Sequence, residues 1–182
     1  MPDVLLVAAT ERELDGHEGI ACGVGPVEAA AATARALSER AFGAVLHIGV
    51  AGGRGIDAAA LVIGSEAVYC DLRAEIAIVD RIDPDPALLA AAQRALPDAQ
   101  LLPIGTSAAV GGIERDLAVE AMEGFGVLRA AALAGVPALE VRAISNQIGE
   151  LDRSRWELGA AIDELSRATP ALLEQFGLVL RG

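Results

Sequence analysis

Residues 44–55 read AVLHIGVAGGRG, and this stretch decides the fold. The run AVLHIG, Ala44 to Gly49, is short and apolar on both alternating faces, the pattern of a parallel strand covered on both sides. It leads into a glycine-rich turn, Val50 to Gly55. Asp3 to Ala9, DVLLVAA, has the same character, and Gly19 to Cys22 reads as a shorter strand. Working outward, Leu61–Tyr69, Ala74–Val79, Leu101–Ile104, Ala118–Ala121 and Pro137–Ser145 read as further strands. Helices are expected over Val27–Arg40 behind Pro26, Pro86–Leu96 before Pro97, and Glu123–Ala134 before Gly135. One long helix or two shorter ones should occupy Arg153–Phe176. Strands alternating with helices predict an α/β fold of three layers, α/β/α, around a mixed, largely parallel central sheet. The 182 residues suffice for a single domain spanning 1–182, with one core.

Composition narrows the chemistry. Hydrophobic residues make up 53% and aromatics 3%, so the core is built from Ala, Val, Leu and Ile. A net charge of −12 argues against nucleic acid and anionic membrane as partners. All 14 basic residues are arginine, which excludes a Schiff-base lysine and a phosphate-loop lysine. Cys22 and Cys70 lack metal-ligand spacing and read as small buried hydrophobes. With only His17 and His47, a His-based metal site or a Ser-His-Asp triad has little to build on, and no metal or organic cofactor is expected. No basic-flanked leader or long uncharged apolar run is present, so the expected location is cytoplasmic.

Ligands of open α/β sheets gather at the carboxyl ends of strands. Glu13, the segment Gly49–Gly53, the pair Met122-Glu123, and Asn146 all fall at such ends. Each has an ordinary explanation alone: a solvated acid, a tight turn, a first-turn carboxylate, a strand-end amide. Gly23-Val24-Gly25 could hold an anion on backbone N–H groups, but a tight turn explains it as well. Glu28 occupies the sixth position, so the dinucleotide-binding glycine fingerprint is missing.

Together these motifs resemble the nucleoside phosphorylase/nucleosidase superfamily. The resembling segments are VLLVAATEREL (4–14), GVGPVEAA (23–30), HIGVAGG (47–53), VEAMEG (119–124) and VRAISNQIG (141–149), in the family's order along nearly the whole chain. The Ser145-Asn146 pair and the tail Gly149-x-x-Asp152-Arg153-x-x-Trp156 resemble its futalosine hydrolase branch. The resemblance implies a nucleoside phosphorylase-like fold and an N-glycosidic hydrolase that releases hypoxanthine from futalosine in menaquinone biosynthesis. It further implies a small-molecule purine nucleoside as partner and a homo-oligomer, dimer or higher. Helices 27–40 and 123–134 are candidates for that interface.

Roles follow from the matching positions. Glu13 would activate water, and Glu123 would accept from the 2′- and 3′-hydroxyls with Met122 against the sugar. Val50, Ala51, Gly52 and Thr106 would line the pocket, with Ser107 a further donor. Asn146 would face the base. A 6-oxopurine protonated at N7 presents a donor beside an O6 acceptor, which an amide matches; adenine would call for a protonated Asp. The arm at the 5′ end of futalosine carries a carboxylate, for which Arg54, Arg73 and Arg153 are candidates. Arginines for phosphate are not evident at matching places, which favours water as acceptor. The rivals are a methylthioadenosine/S-adenosylhomocysteine-type nucleosidase, a nucleoside phosphorylase, and, in another class, a non-catalytic nucleoside-binding domain.

Overall fold

The computed structural model describes residues 3–109 and 116–181. In chain order the elements are β1 (Val4–Ala8), α1 (Glu11–Leu14), β2 (Ile20–Ala21), α2 (Pro26–Glu39), β3 (Ala44–Gly53), β4 (Leu61–Tyr69) and β5 (Arg81–Ile82). They continue with α3 (Pro86–Ala95), β6 (Gln100–Thr106), β7 (Val119–Ala121), α4 (Gly124–Ala134), β8 (Ala138–Gln147) and α5 (Leu158–Val179). A single 3-10 turn, Arg153–Arg155, precedes α5.

Local chemistry explains the helix boundaries. The Asp85 carboxylate accepts from the Ala87 and Leu88 N–H groups and starts α3, with Pro86 in the first turn. Gly135, at φ 69°, ends α4 in the left-handed region. Pro170 sits inside α5 and has no N–H for the Ser166 carbonyl. His17 Nε2 lies 3.3 Å from that carbonyl and supplies the missing partner, pinning the end of the α1 loop to α5.

The expected α/β class and mixed sheet are present, but the sheet is not a flat central layer. β3 pairs β8 in parallel, β8 pairs β4 antiparallel, β4 pairs β6 and β6 pairs β7 in parallel, and β7 returns antiparallel to the end of β3. The strands thus close on themselves, with β1 and β2 continuing from the first half of β3. The closed part is filled by Ala51, Ile56, Val62, Ile104, Val119, Ala121 and Ile144. Outside it, α3 and α5 cover one apolar cluster around Leu46, Ile48 and Leu139. α2 and α4 cover another around Val45, Val127 and Leu128.

Three sequence expectations are corrected. Gly49–Gly53 is a continuation of β3 and not a turn, because β8 and then β7 give it ladder partners. Ala74–Val79 forms no strand: Ile76 and Val79 are exposed, and the pairing with β4 comes from Arg81 and Ile82. The last helix begins at Leu158, since Arg153–Arg155 is a separate turn capped by the Asp152 carboxylate.

Candidate functional site

The structure brings the strand ends of β3, β7 and β8 to one cleft of about 500 Å³. Val50, Ala51 and Gly52 come from β3, and Glu120 to Glu123 from the β7–α4 junction. Ser145 and Asn146 come from β8, and Arg12 and Glu13 from α1. Ile148, Gly149, Glu150, Arg153, Trp156, Leu158 and Ile162 close the far side. Consecutive residues of a regular strand point to opposite faces. Ser145 and Asn146 both face the cleft because the β3–β8 register slips there: Ala51 pairs Ile144, whereas Gly52 pairs Asn146. The bulge leaves Ser145 unpaired and re-aims the amide beside it.

Glu13 is fixed by α1 itself. Thr10 and Glu13 form a capping box, in which Glu13 Oε2 accepts from the Thr10 N–H at 3.0 Å and from the Thr10 hydroxyl at 2.9 Å. Its Oε1 accepts from the Val50 N–H at 3.0 Å. A carboxylate offers about four lone-pair positions, so one remains for a molecule in the cleft.

Glu123 is held differently. It is the residue preceding α4 but makes no capping bond with its side chain. The Phe125 N–H donates instead to Thr106 Oγ1 at 2.8 Å. This corrects the expectation for Thr106: it is fully buried behind the helix terminus, outside the cleft lining, where it caps α4. Ser107 is also outside, donating to Asp71 at 2.8 Å. Relieved of capping, the Glu123 carboxylate reaches across to accept from the Gly25 N–H at 3.0 Å, and its Oε2 lies 3.5 Å from Arg142 Nη1. The Gly23-Val24-Gly25 turn therefore does bind an anion on backbone, and the anion is the protein's own Glu123. Gly23 and Gly25 have φ of 89° and 98°, a region side chains strain to enter.

Asn146 Oδ1 accepts from the Ser145 hydroxyl at 2.7 Å, and its Nδ2 donates to the Gln147 carbonyl at 3.0 Å. Those neighbours fix which end of the amide is oxygen. One N–H and one lone pair are left over.

Beneath these groups lies a buried ionic cluster that the sequence reading missed. Arg142 is 0% exposed; its Nε donates to Glu140 Oε1 at 2.7 Å and its Nη1 to the Val50 carbonyl at 3.4 Å. Its Nη2 meets His47 Nε2 at 2.5 Å, while His47 Nδ1 lies 3.0 Å from the Val7 carbonyl. Burial first, then the Arg142 cation, hold the His47 pKa well below its usual range, so the ring is neutral. Burial pushes the Glu140 carboxyl up, and Arg142 opposes that shift. A Cβ at Gly49 would overlap Arg142 Nη1 and approach Glu13, so the guanidinium occupies the space that a side chain there would fill. The signal was present in the sequence: Glu140 and Arg142 stand two apart, on one face of the otherwise apolar ALEVRAIS strand.

Among the arginine candidates for a ligand carboxylate, Arg153 lines the cleft, stacked 5.5 Å over the Trp156 ring. Arg54 is paired with Asp116 at 3.1 Å, and neither it nor Arg73 is in the lining. Arg12, not expected, lines the cleft as well. Both cysteines are free and buried, and burial with the nearby Glu123 carboxylate pushes the Cys22 thiol up to about 11. Among the described residues no group of His, Cys, Asp or Glu side chains is arranged to hold a metal ion, and no helix is long and apolar enough to cross a membrane.

No protein-family model matches the chain. The chain is 37% identical to futalosine hydrolase of Streptomyces coelicolor, over 87% of this chain and 79% of that protein. It is 34% identical to futalosine hydrolase of Acidothermus cellulolyticus, over 75% and 66%. Among solved structures, it resembles a 5′-methylthioadenosine/S-adenosylhomocysteine nucleosidase from Colwellia psychrerythraea in complex with adenine, with a TM-score of 0.85 at 22% identity over 96% and 95% of the two chains. The native futalosine hydrolase of Helicobacter pylori matches with a TM-score of 0.83 at 17% identity, over 95% and 97%.

Proposed function

The chain belongs to the futalosine hydrolase family, and from that premise we propose that it hydrolyses the bond between ribose and hypoxanthine in futalosine, with Glu13, Glu123 and Asn146 as the reacting constellation. One observation carries the reading. Two carboxylates and one amide, from three separate stretches of the chain with Glu13 more than a hundred residues from the other two, line a single cleft, and each retains unused hydrogen-bonding positions.

Glycosidic cleavage of a nucleoside builds positive charge on the ribose and negative charge on the departing purine. Glu13 takes a proton from water on the sugar face opposite the base. Glu123 accepts from the 2′- and 3′-hydroxyls, and its charge favours the cationic sugar. Met122, beside it in the lining, packs against the ribose. Val50, Ala51 and Gly52 form a wall small enough for the nucleoside to approach backbone. Asn146 offers its free lone pair to N7–H and its free N–H to O6, a match to hypoxanthine and a mismatch to the 6-amino group of adenine. An amide is no acid, and a 6-oxopurine needs less acid assistance in leaving. Arg12 and Arg153, with no ion pair among the described residues, face the carboxylated 5′ arm at the cleft mouth, and Trp156 meets its ring.

On this reading the protein acts in menaquinone biosynthesis, in the cytoplasm. Exposed Val27 on α2 and Leu133 on α4, 75% and 71% accessible, support a homo-oligomer formed through those helices. Light scattering that gives a monomer mass would remove that part. The catalytic proposal is tested by liquid chromatography of futalosine incubated with the protein in phosphate-free buffer. Hypoxanthine release is expected without phosphate, and Glu13→Gln should abolish it. Release that requires phosphate would instead indicate a phosphorylase.

A further inference from the structure

Glu140 is 1% exposed and stands outside the cleft lining, yet the floor of the site is organised around it. We propose that Glu140 is a positioning residue for the reaction: it clamps Arg142 and offsets its charge, so that Glu13 and Glu123 present their full negative charge to the ribose. This rests on the reading of Glu13 and Glu123 as the catalytic carboxylates.

The geometry of the guanidinium is the first ground. Its Nε edge is tied to Glu140 at 2.7 Å and its Nη2 to neutral His47 at 2.5 Å. Only Nη1 is left to face the site, toward the Val50 carbonyl at 3.4 Å and Glu123 at 3.5 Å. The same carbonyl belongs to the residue whose N–H holds Glu13. Arg142 thus supports both carboxylates from one fixed plane, and Glu140 is the anionic part of its fixture.

Charge is the second ground. Arg142 has Glu140, Glu123 and Glu13 as its acidic neighbours, while His47, opposite Glu140 on β3, is uncharged. With Glu140 ionised, the cation is balanced below the floor and two negative charges remain above it. Without Glu140, Arg142 would draw on the carboxylates that must stabilise the cationic sugar, in a region where water screens little.

The third ground is that the fold gives up stability to keep Glu140. Its Oε2 has no hydrogen-bond partner. A Cβ at Gly124 would overlap its carboxylate, so α4 begins with a glycine, a poor helix former, at that place. A buried ion pair with an unsatisfied oxygen is generally no more stabilising than apolar packing. Its presence beside the site therefore points to a role in the reaction.

The test compares Glu140→Gln and Glu140→Asp with the wild-type protein, by steady-state hypoxanthine release from futalosine and by thermal unfolding. Gln keeps the shape and loses the charge; Asp keeps the charge and leaves a small void. A structural role would make Gln the milder change. The charge role predicts the reverse: Gln lowers kcat about tenfold or more with KM within about threefold and the unfolding midpoint near wild type, and Asp retains more kcat than Gln. Wild-type kcat in Glu140→Gln, or Asp the worse of the two, overturns the inference. Should Gln not fold, Gly124→Ala decides in its place, because it displaces the carboxylate and keeps every charge; a fall in kcat is expected and wild-type kcat overturns. A wild-type protein that releases no hypoxanthine would break the functional reading itself. Normal wild-type turnover with an unaffected Gln variant breaks only this inference.

Discussion

The two halves of β3 differ in what surrounds them. Ala44–Ile48 lies between β1 and β8 and is fully buried, its apolar side chains filling the clusters on either face. Gly49–Gly53 has almost no side chains of its own, and the space is taken by groups from elsewhere. Arg142 and Glu13 crowd Gly49, Asn146 and Ile148 crowd Gly52, and Ile144 and Ile56 crowd Gly53. The first half contributes hydrophobic burial and the second contributes room. One strand thus anchors the core at one end and admits polar groups of the cleft at the other.

Substitutions can break or sharpen this division. The largest effect is expected from Glu13→Gln, which leaves both halves of β3 intact and should lower kcat for futalosine about 10²- to 10⁴-fold, as loss of a general base does. Steady-state chromatographic assays would measure it, and a loss below threefold would mean that another group activates water. In the first half, Leu46→Ala should cost about 2–5 kcal/mol of unfolding free energy by denaturant titration, with kcat/KM of the folded fraction little changed. In the second half, Gly49→Ala should act in the opposite sense. Its Cβ displaces Arg142 and Glu13, and kcat/KM should fall about a hundredfold, as a misplacement of about an ångström does. If the two substitutions gave the same profile, the division of the strand would be wrong.

At the cleft mouth the expected change is smaller. Arg153→Ala removes an exposed cation and should raise the futalosine KM about three- to tenfold with kcat unchanged. A nucleoside without a carboxylate, such as inosine, should show no such change. The smallest effect is on pH dependence. His47 is held neutral in the folded protein, with its pKa lowered, while in the unfolded chain it titrates at its usual value near 6.5. Below that value the unfolded state binds the extra proton, so His47 lowers stability as pH falls through it and has no effect above it. Urea titrations between pH 5 and 8 should show a shallower acid-side decline in His47→Gln than in wild type.

Much of this was legible in the sequence, for identifiable reasons. Apolar runs marked β1, β3 and β8, because a strand covered on both faces has to be apolar throughout, while Pro26 marked the start of α2 and Gly135 the end of α4. Motif order located Glu13, Met122, Glu123 and Asn146 at strand ends, and those ends share the cleft. Closure of the sheet was not legible, since periodicity reports which face is buried and not which strand is the neighbour. Ala74–Val79 alternates like a strand but finds no partner, and Thr106 follows a strand yet caps a helix, a matter of tertiary placement. Arg142 and Glu140 were hidden by their apolar setting, although opposite charges two apart in a buried strand predict a paired, inward-facing couple.

The most direct test sets futalosine beside methylthioadenosine under identical phosphate-free conditions and measures kcat/KM for base release from each. The account predicts hypoxanthine release from futalosine at a rate far above adenine release from methylthioadenosine, with the preference narrowed in Asn146→Asp. Comparable rates for the two nucleosides with the wild-type protein would contradict it.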